Sequence, residues 1–361
     1  MKTEKRDDFV RRGLLGMFAA SLTALVALSA CSEDPASESR PSTDGAEYLM
    51  LAPDFVGVND APQTMGLIDP NFTGKMVFDM GLFICDNNSA YPSSIYHPHA
   101  AGYFNMKGHC EANRVSSGDP ATYTWTYTPS NTTVSYTGAG IRVTSGAKVD
   151  VYAYTPYTTG SISDPRHIPY VASQNDYMWA DPVMNVSSGT VSLPLKHAMT
   201  CFSFKIYTTK VGNATLKQIK VSDKSGSHIV ASGMFDATTG EVNDRIYASS
   251  AAPVYVDINA KVPLGTADEA TFDVIVPPIT DYKDKHIEIS LIFSDYNAAG
   301  TEFLTPVAIP ASSASFEDGK YQFKRGYRYI YQIEVDNYNK FTPLGFEEWG
   351  LSPDQTVDVE I

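Results

Sequence analysis

Residues 148–154 read Lys-Val-Asp-Val-Tyr-Ala-Tyr, and this stretch decides the fold class. Val149, Val151 and Ala153 fall on one side of an extended chain, and Asp150 and the two tyrosines fall on the other. Successive side chains of a β-strand point to opposite faces, so alternation with a period of two is typical of a strand. The stretch therefore predicts a strand with one apolar face.

Similar alternation recurs along the chain between turn residues. The sequence holds 22 tyrosines and 17 phenylalanines, which favour strands, and 22 prolines and 25 glycines, which favour turns. The predicted strands lie at residues 75–84 (one strand or a bent pair), 122–127, 132–136, 140–144, 201–207, 216–221, 229–231, 254–258, 271–276, 287–294 and 327–335, with a hairpin over 233–242. Many short strands with turns between them predict an all-β fold of sandwich or barrel type.

The alternation lapses between Thr155 and Val186, where Pro, Ser and Asp are frequent, and it restarts at Thr190. We interpret the lapse as long loops with room for one short strand. The break predicts two β-domains, residues 46–188 and 189–361, each of ordinary domain size.

The N-terminus has the order of a secretory signal, five basic residues followed by an apolar run over residues 13–30. The run ends in Leu28-Ser29-Ala30-Cys31, which resembles the lipobox of bacterial lipoproteins. We therefore predict a signal peptide over residues 1–30 and lipidation, with palmitate among the acyl chains, at Cys31. Residues 31–45 are polar and are predicted to be a flexible tether to the outer membrane.

Charge and motifs exclude several function classes. The formal net charge is −14, and no basic block follows the signal peptide, so a nucleic-acid partner is not predicted. The sequence lacks the serine-hydrolase elbow, the zinc-protease helix motif, the phosphate-binding loop and the dinucleotide fingerprint. We predict no enzymatic activity and no cofactor.

Histidine and cysteine residues lie close together in the first half of the chain. His97, His99, His109 and Cys110 fall within fourteen residues, but their spacing is not that of a zinc site, so no metal is predicted. Cys85 and Cys110 are compatible with a disulfide in an exported protein. The sequence leaves this bond open, because it does not fix the separation of the two Cα atoms.

Four stretches together resemble the fimbrillin (Mfa-like) proteins of Bacteroidetes, in the order expected for that family. They are residues 80–84 (MGLFI), 149–157 (VDVYAYTPY), 191–206 (VSLPLKHAMTCFSFKI) and 323–333 (FKRGYRYIYQI). The resemblance implies two tandem transthyretin-like β-sandwich domains, display on the cell surface, and assembly into fimbriae by β-strand donation.

The chain departs from the family at the site of maturation. Shaft-forming members are cut by an arginine-directed protease that removes the first strand. Between Cys31 and Arg114 the only arginine is Arg40, and the following Pro41 disfavours cleavage. Either another protease acts here, or the protein stays lipidated as an anchor or accessory subunit.

The two ends of the mature chain contain the candidate assembly strands. A first strand is predicted at about residues 47–58. At the other end, residues 341–346 are interrupted by Pro and Gly and are predicted to break the preceding strand. Alternation then resumes, with Val357, Val359 and Ile361 on one face. This tail either closes its own sheet or is donated to a neighbouring subunit.

Three functions are compatible with the sequence. A structural or adhesive fimbrial subunit, located at the outer membrane and in the fimbrium and partnered by other subunits, fits the resemblance. A monomeric surface lipoprotein that binds glycan or host protein is the alternative, because residues 123–127 (Tyr-Thr-Trp-Thr-Tyr) offer aromatic rings for stacking. A β-sandwich hydrolase is the third, and no motif supports it.

Overall fold

The computed structural model describes residues 47–55, 74–87, 96–116, 122–133, 135–137, 140–172, 175–208, 215–249, 251–262, 270–294, 306–335 and 340–348. Nearly all of their regular structure is β-strand, which confirms the predicted all-β class. Within the part of the chain described, no helix is long and apolar enough to cross a membrane.

The strands, numbered in chain order, are β1 Glu47–Phe55, β2 Gly74–Asp86, β3 Met106–Arg114, β4 Thr122–Thr128, β5 Tyr136–Thr137, β6 Ile141–Val143, β7 Val149–Thr155, β8 Ile168–Val171, β9 Met178–Ala180, β10 Val183–Val186, β11 Gly189–His197, β12 Thr200–Thr208, β13 Thr215–Asp223, β14 Val230–Asp236, β15 Glu241–Tyr247, β16 Val254–Lys261, β17 Ala270–Val276, β18 Ile279–Tyr282, β19 Ile287–Ser294, β20 Val307–Ala308, β21 Ser315–Glu317, β22 Lys320–Phe323, β23 Tyr327–Val335 and β24 Lys340–Glu348. A short 3-10 turn spans Ala311–Ser313.

The largest sheet has ten strands, in the order β5-β4-β3-β2-β7-β9-β11-β1-β6, with β10 also paired to β7. All neighbours in it are antiparallel except β1 and β11, which are parallel. One face of this sheet packs on an aliphatic core that includes Leu82, Ile84, Val151 and Leu193.

Strand β7 is buried on both faces, which the alternation of its sequence did not predict. Val149, Val151 and Ala153 belong to the aliphatic core, as their alternation requires. Tyr152 and Tyr154 lie on the opposite face in a second core that is rich in aromatic rings. The face of β7 that carries Asp150 and the two tyrosines is therefore buried as well.

The second half of the chain builds a sandwich. One sheet has the order β17-β12-β23-β24 and the other has the order β16-β13-β19-β20. Both contribute side chains to one core, among them Phe204, Tyr331, Ile219 and Leu291. Two sheets that share a core in this way are the defining arrangement of a β-sandwich. Two small sheets, β15-β14-β8 and β18-β22-β21, complete the fold.

The aromatic core joins the two halves around Trp179 on β9. Lys196 Nζ lies 5.9 Å and Arg325 Cζ lies 5.4 Å from the centroid of its rings. Gly240, in the β14–β15 turn, has φ +71°, and a Cβ there would lie 2.5 Å from the tryptophan ring. Because Gly240 has no side chain, the β14–β15 turn can approach the tryptophan ring closely.

Asp223 organises the turn between β13 and β14. Its carboxylate accepts hydrogen bonds from the backbone N–H groups of residues 225–229 and from the Ser225 hydroxyl, at 2.5–3.0 Å. Burial acts to raise the pKa of this carboxyl, but hydrogen bonds from Ser225, Ile229 and His228 outweigh burial and lower it.

Two expectations need correction. Residues 155–186 were expected to hold one short strand at most, yet they contain β8, β9 and β10. The predicted break at residues 341–346 lies inside β24, because a register shift opposite Gly345 accommodates it as a neighbour of β23. Strand β11 pairs within the ten-stranded sheet, and the next strand, β12, pairs within the sandwich. The chain therefore passes from one sheet to the other between His197 and Thr200.

The described residues between Glu47 and Glu348 form one compact unit by their contacts. The division into domains 46–188 and 189–361, and the transthyretin-like type of each, stay predictions.

Candidate functional site

Strand β1 lies in a slot between β11 and β6. It pairs in parallel with β11 over seven residues, from Leu49 opposite Gly189 to Phe55 opposite Leu195. On its other edge it pairs with β6 over three residues only, Glu47 to Leu49. From Met50 onward β6 no longer covers this edge, so β1 is held mainly by β11.

The side chains of β1 alternate between core and surface. Leu49 is fully buried, Leu51 is 6% exposed, and Pro53 is buried too. Met50, between the two leucines, is 38% exposed. Burial of one leucine contributes about 1.5–3 kcal/mol, so the two leucines together contribute about 3–6 kcal/mol to holding the strand. The slot is thus an apolar groove filled by alternate residues of one strand.

The approach of β6 to β1 depends on a glycine and a glutamate. Gly140 has φ +70°, and a Cβ there would lie 2.7 Å from Met50 Sδ and 2.9 Å from Leu49 O. Glu47 Oε1 accepts hydrogen bonds from Ser145 Oγ at 3.1 Å and from Gly146 N at 3.4 Å. These contacts position the β6 turn against the start of β1.

Strand β24 lies at the edge of its sheet, paired only with β23 among the described strands. It is followed in sequence by the predicted donor residues Val357, Val359 and Ile361, which lie outside the described residues. The lipidation site Cys31 and the tether also lie outside them, so the assembly and anchoring predictions on these residues stay predictions.

The two cysteines considered for a disulfide are free thiols in the structure. Cys110 pairs with Phe78 across the β2–β3 ladder, and Cys85 lies seven positions further along β2. An odd separation puts the two side chains on opposite faces of the sheet, about 23 Å apart at 3.3 Å per residue. A disulfide needs Cα atoms about 4.4–6.8 Å apart, so the bond left open by the sequence is not formed here.

The histidines considered for a metal site lie apart. His99 and His109 each contact a different aspartate. His99 Nδ1 lies 2.6 Å from Asp86 Oδ1, and His109 Nδ1 lies 2.6 Å from Asp79 Oδ1. Burial acts to raise the pKa of Asp79, but contacts with Lys107 and His109 lower it. Among the described residues, no group of three or more His, Cys, Asp or Glu could hold a metal ion.

A cavity of about 540 Å³ opens next to the start of β1. Tyr48, Tyr103 and Tyr127 line it, together with Asn131 and Arg142. The sequence had singled out residues 123–127 for stacking, but within that stretch Trp125 and Tyr127 are buried in the aliphatic core and only Tyr127 lines the cavity. The other walls come from segments far apart in sequence, so no local motif could have revealed them.

Comparison with known proteins defines the class of this chain. The family model for fimbrillin-like proteins matches residues 107–347, about two thirds of the sequence. The chain therefore belongs to the fimbrillin-like family. This membership supports a fimbrial role and a surface-associated location, in a family of structural proteins. No curated protein matches the chain.

Several solved structures resemble the chain. A candidate cell adhesion protein from Bacteroides ovatus is 16% identical, with 85% of this chain and 99% of that chain covered and a TM-score of 0.51. Another from Bacteroides fragilis is 11% identical, with coverage of 86% and 100% and a TM-score of 0.49. The tip fimbrial protein Mfa3 from Porphyromonas gingivalis, truncated at its C-terminus, is 9% identical, with coverage of 76% and 99% and a TM-score of 0.37. The first of these shows a shared fold.

Proposed function

We propose that this protein is a structural or adhesive subunit of a bacterial fimbria, exported as a lipoprotein and assembled by β-strand donation. It comprises two tandem transthyretin-like β-sandwich domains and acts without catalysis. Its partners are other subunits of the fimbrium, and its lipid holds it in the outer membrane with the body exposed on the cell surface.

The observation that carries the proposal is the slot of β1. Leu49, Leu51 and Pro53 occupy three buried positions spaced by two residues. Val357, Val359 and Ile361 of the tail have the same number and spacing of apolar side chains. A strand with this pattern can fill a slot of this kind in a neighbouring subunit that has lost its own first strand, because its apolar face would occupy three equivalent positions.

Release of β1 requires cleavage of the chain before β2. Residues 56–73, between the two strands, contain no Lys or Arg, so an arginine-directed protease has no site there. A subunit of this kind keeps β1 unless a protease of other specificity acts. With β1 retained, the subunit can donate its tail but cannot accept one, which fits a position at the end of a fimbria or an accessory role.

Export as a lipoprotein rests on Leu28-Ser29-Ala30-Cys31. We expect Cys31→Ala to shift the protein from the membrane fraction to the soluble periplasm and to abolish labelling with palmitate. Wild-type protein that takes up no palmitate contradicts the anchor.

The strand-donation experiment compares the two faces of the tail. Val357→Asp with Val359→Asp places charges on the apolar face and should abolish heat-resistant multimers in gels of producing cells, because a buried unpaired charge is costly. Thr356→Asp is the matched control on the other face and should leave the multimers unchanged. Multimers that survive the double substitution rule out donation by this face.

A monomeric surface binder is the second candidate, favoured by the occupied β1 slot and by the nearby cavity. Electron microscopy of producing cells separates the two functions. Filaments that contain the protein support the subunit, and discrete monomers on the cell surface support the binder.

A further inference from the structure

His99 joins strand β2 to the β6 turn, which spans residues 144–147. Its Nδ1 lies 2.6 Å from Asp86 Oδ1 on β2, and its Nε2 accepts a hydrogen bond from Thr144 N at 2.9 Å. An imidazole nitrogen that accepts from a backbone N–H carries no proton, so these bonds assign the proton to Nδ1, which donates to Asp86. The His99 side chain is 6% exposed, so water does not readily replace either partner. The ring is therefore held as one neutral tautomer.

The turn that His99 holds also holds the start of β1. Ser145 Oγ and Gly146 N, both within the turn, donate hydrogen bonds to Glu47 Oε1 on β1. Strand β6, which leads into the turn, pairs with residues 47–49 of β1. His99, the β6 turn and the start of β1 thus form one continuous series of contacts.

Protonation of His99 breaks one of its two bonds and keeps the other. A charged imidazole donates through both nitrogens, so Nε2 then faces the N–H of Thr144 as one donor against another. Nδ1 still donates to Asp86, and this contact gains the attraction between opposite charges. Histidine is the side chain that ordinarily changes its charge between about pH 5 and pH 8. Mild acid therefore leaves His99 on β2 and weakens its hold on the β6 turn.

The elements around the ring carry other charged and titratable groups. They are Asp86 on β2, His97 and Tyr103 in the loop of His99, Arg142 on β6, Glu47 on β1, and Lys148 and Asp150 at the start of β7. Aspartate, lysine, arginine and tyrosine side chains ordinarily keep one charge state between about pH 5 and pH 8, and glutamate titrates about two pH units below histidine. We assign the response to mild acid to His99, because its ring is bonded to the turn.

We propose that His99 is an acid-sensitive latch on the start of β1. While the ring is neutral it holds the β6 turn and, through Glu47, the start of β1. As the pH falls and the ring takes up a proton, this stabilisation is lost, and β11 becomes the main support of β1. The latch depends neither on lipidation nor on strand donation, because it involves only contacts within one subunit. It makes the hold on the first strand depend on the pH around the cell.

Hydrogen exchange of the purified protein, divided by the intrinsic exchange rate at each pH, tests the latch. Between about pH 7.5 and pH 5.5 we expect the protection of residues 141–147 and 47–49 to fall about tenfold, as for the loss of one hydrogen bond. The amides of Asp86 and His99, which bond the loop and β2 to each other, should keep their protection, and so should strand β12 in the sandwich.

Three variants identify the sensor. His99→Gln removes the titrating ring but keeps an amide that donates and accepts, so protection of the turn should be the same at both pH values. His109→Gln is the matched control: its Nδ1 also lies 2.6 Å from an aspartate, but its Nε2 lies 3.8 Å from the Glu111 carboxylate. His109→Gln should keep the acid response, and so should Glu47→Gln, which retains an acceptor without a titrating carboxyl. The melting temperature at neutral pH verifies that each variant is folded.

Several results would overturn the proposal. One is an acid response that persists in His99→Gln, and another is a response that disappears in Glu47→Gln. A third needs no variant: a midpoint below about pH 4.5 in the wild-type protein assigns the response to a carboxyl group. An equal loss of protection in all strands also overturns it, because that pattern is global unfolding in acid and not the release of one turn.

Discussion

Replacing Leu49 by alanine tests whether β1 is held by its buried leucines. Leu49 is fully buried in the aliphatic core, and a Leu→Ala change at such a site costs about 2–5 kcal/mol. Strand β1 is the first described strand, and from Met50 to Phe55 it pairs with β11 alone, so we expect much of this loss to appear as detachment of β1. The population of the detached form should rise by a factor of about 30 to several thousand.

Hydrogen exchange of the β1 amides measures this opening directly, because local detachment exposes them without global unfolding. Met50→Ala is the matched control on the neighbouring, 38% exposed residue, and it should change the opening free energy by about 0.5 kcal/mol or less. Equal acceleration in the two variants would refute the reasoning. So would exchange of the β1 amides at the same rate as the central strands, since β1 would then open only with the whole fold.

Three further predictions concern packing, thiols and acid. Gly240→Ala should destabilise the fold by about 1–3 kcal/mol in urea titration, because its Cβ meets the tryptophan ring, whereas Gly319→Ala, with a similar φ of +75° and open space around it, should cost about 1 kcal/mol. Burial raises the pKa of Cys85 and of Cys110 to about 12, so we expect neither thiol to react with a thiol reagent at neutral pH until the protein unfolds, when both react without a reductant. Asp223→Asn should cost about 1–3 kcal/mol at neutral pH. Because the folded-state pKa of this carboxyl is lowered, its contribution is present above the ordinary carboxyl pKa and is lost as pH falls through the lowered value, so the variant should lose less stability than the wild type on acidification to about pH 3.

The sequence predicted the positions of individual strands better than it predicted their burial and their pairing partners. The alternation of residues 148–154 identifies β7 and its aliphatic face, but not the burial of its tyrosine face, because the aromatic core is assembled from strands far away in sequence. The strands within residues 155–186 were missed for a similar reason. Strand β8, for example, pairs with β14, more than sixty residues later, and four residues carry too little pattern to predict this.

The candidate site was predictable only in part. A first strand near residue 47 follows from its apolar residues, and β1 confirms it. The cavity was not predictable, because Tyr48, Tyr103 and Arg142 each look like ordinary strand or loop residues until the ladder brings them together. The Pro and Gly that suggested a break at residues 341–346 are accommodated by a bulge, which depends on the partner strand and not on the local sequence.

The parallel pairing of β1 with β11 has a mechanical consequence. A pull on the N-terminal end of β1, along the strand axis, loads the hydrogen bonds along the seven-residue β1–β11 ladder together, in shear. A pull across the sheet would break them one after another, as a zipper opens. If the tether reaches the membrane from the start of β1, liquid flow over the cell loads this ladder along its strong direction. Strand β1 then serves as the mechanical link between the anchor and the body of the protein.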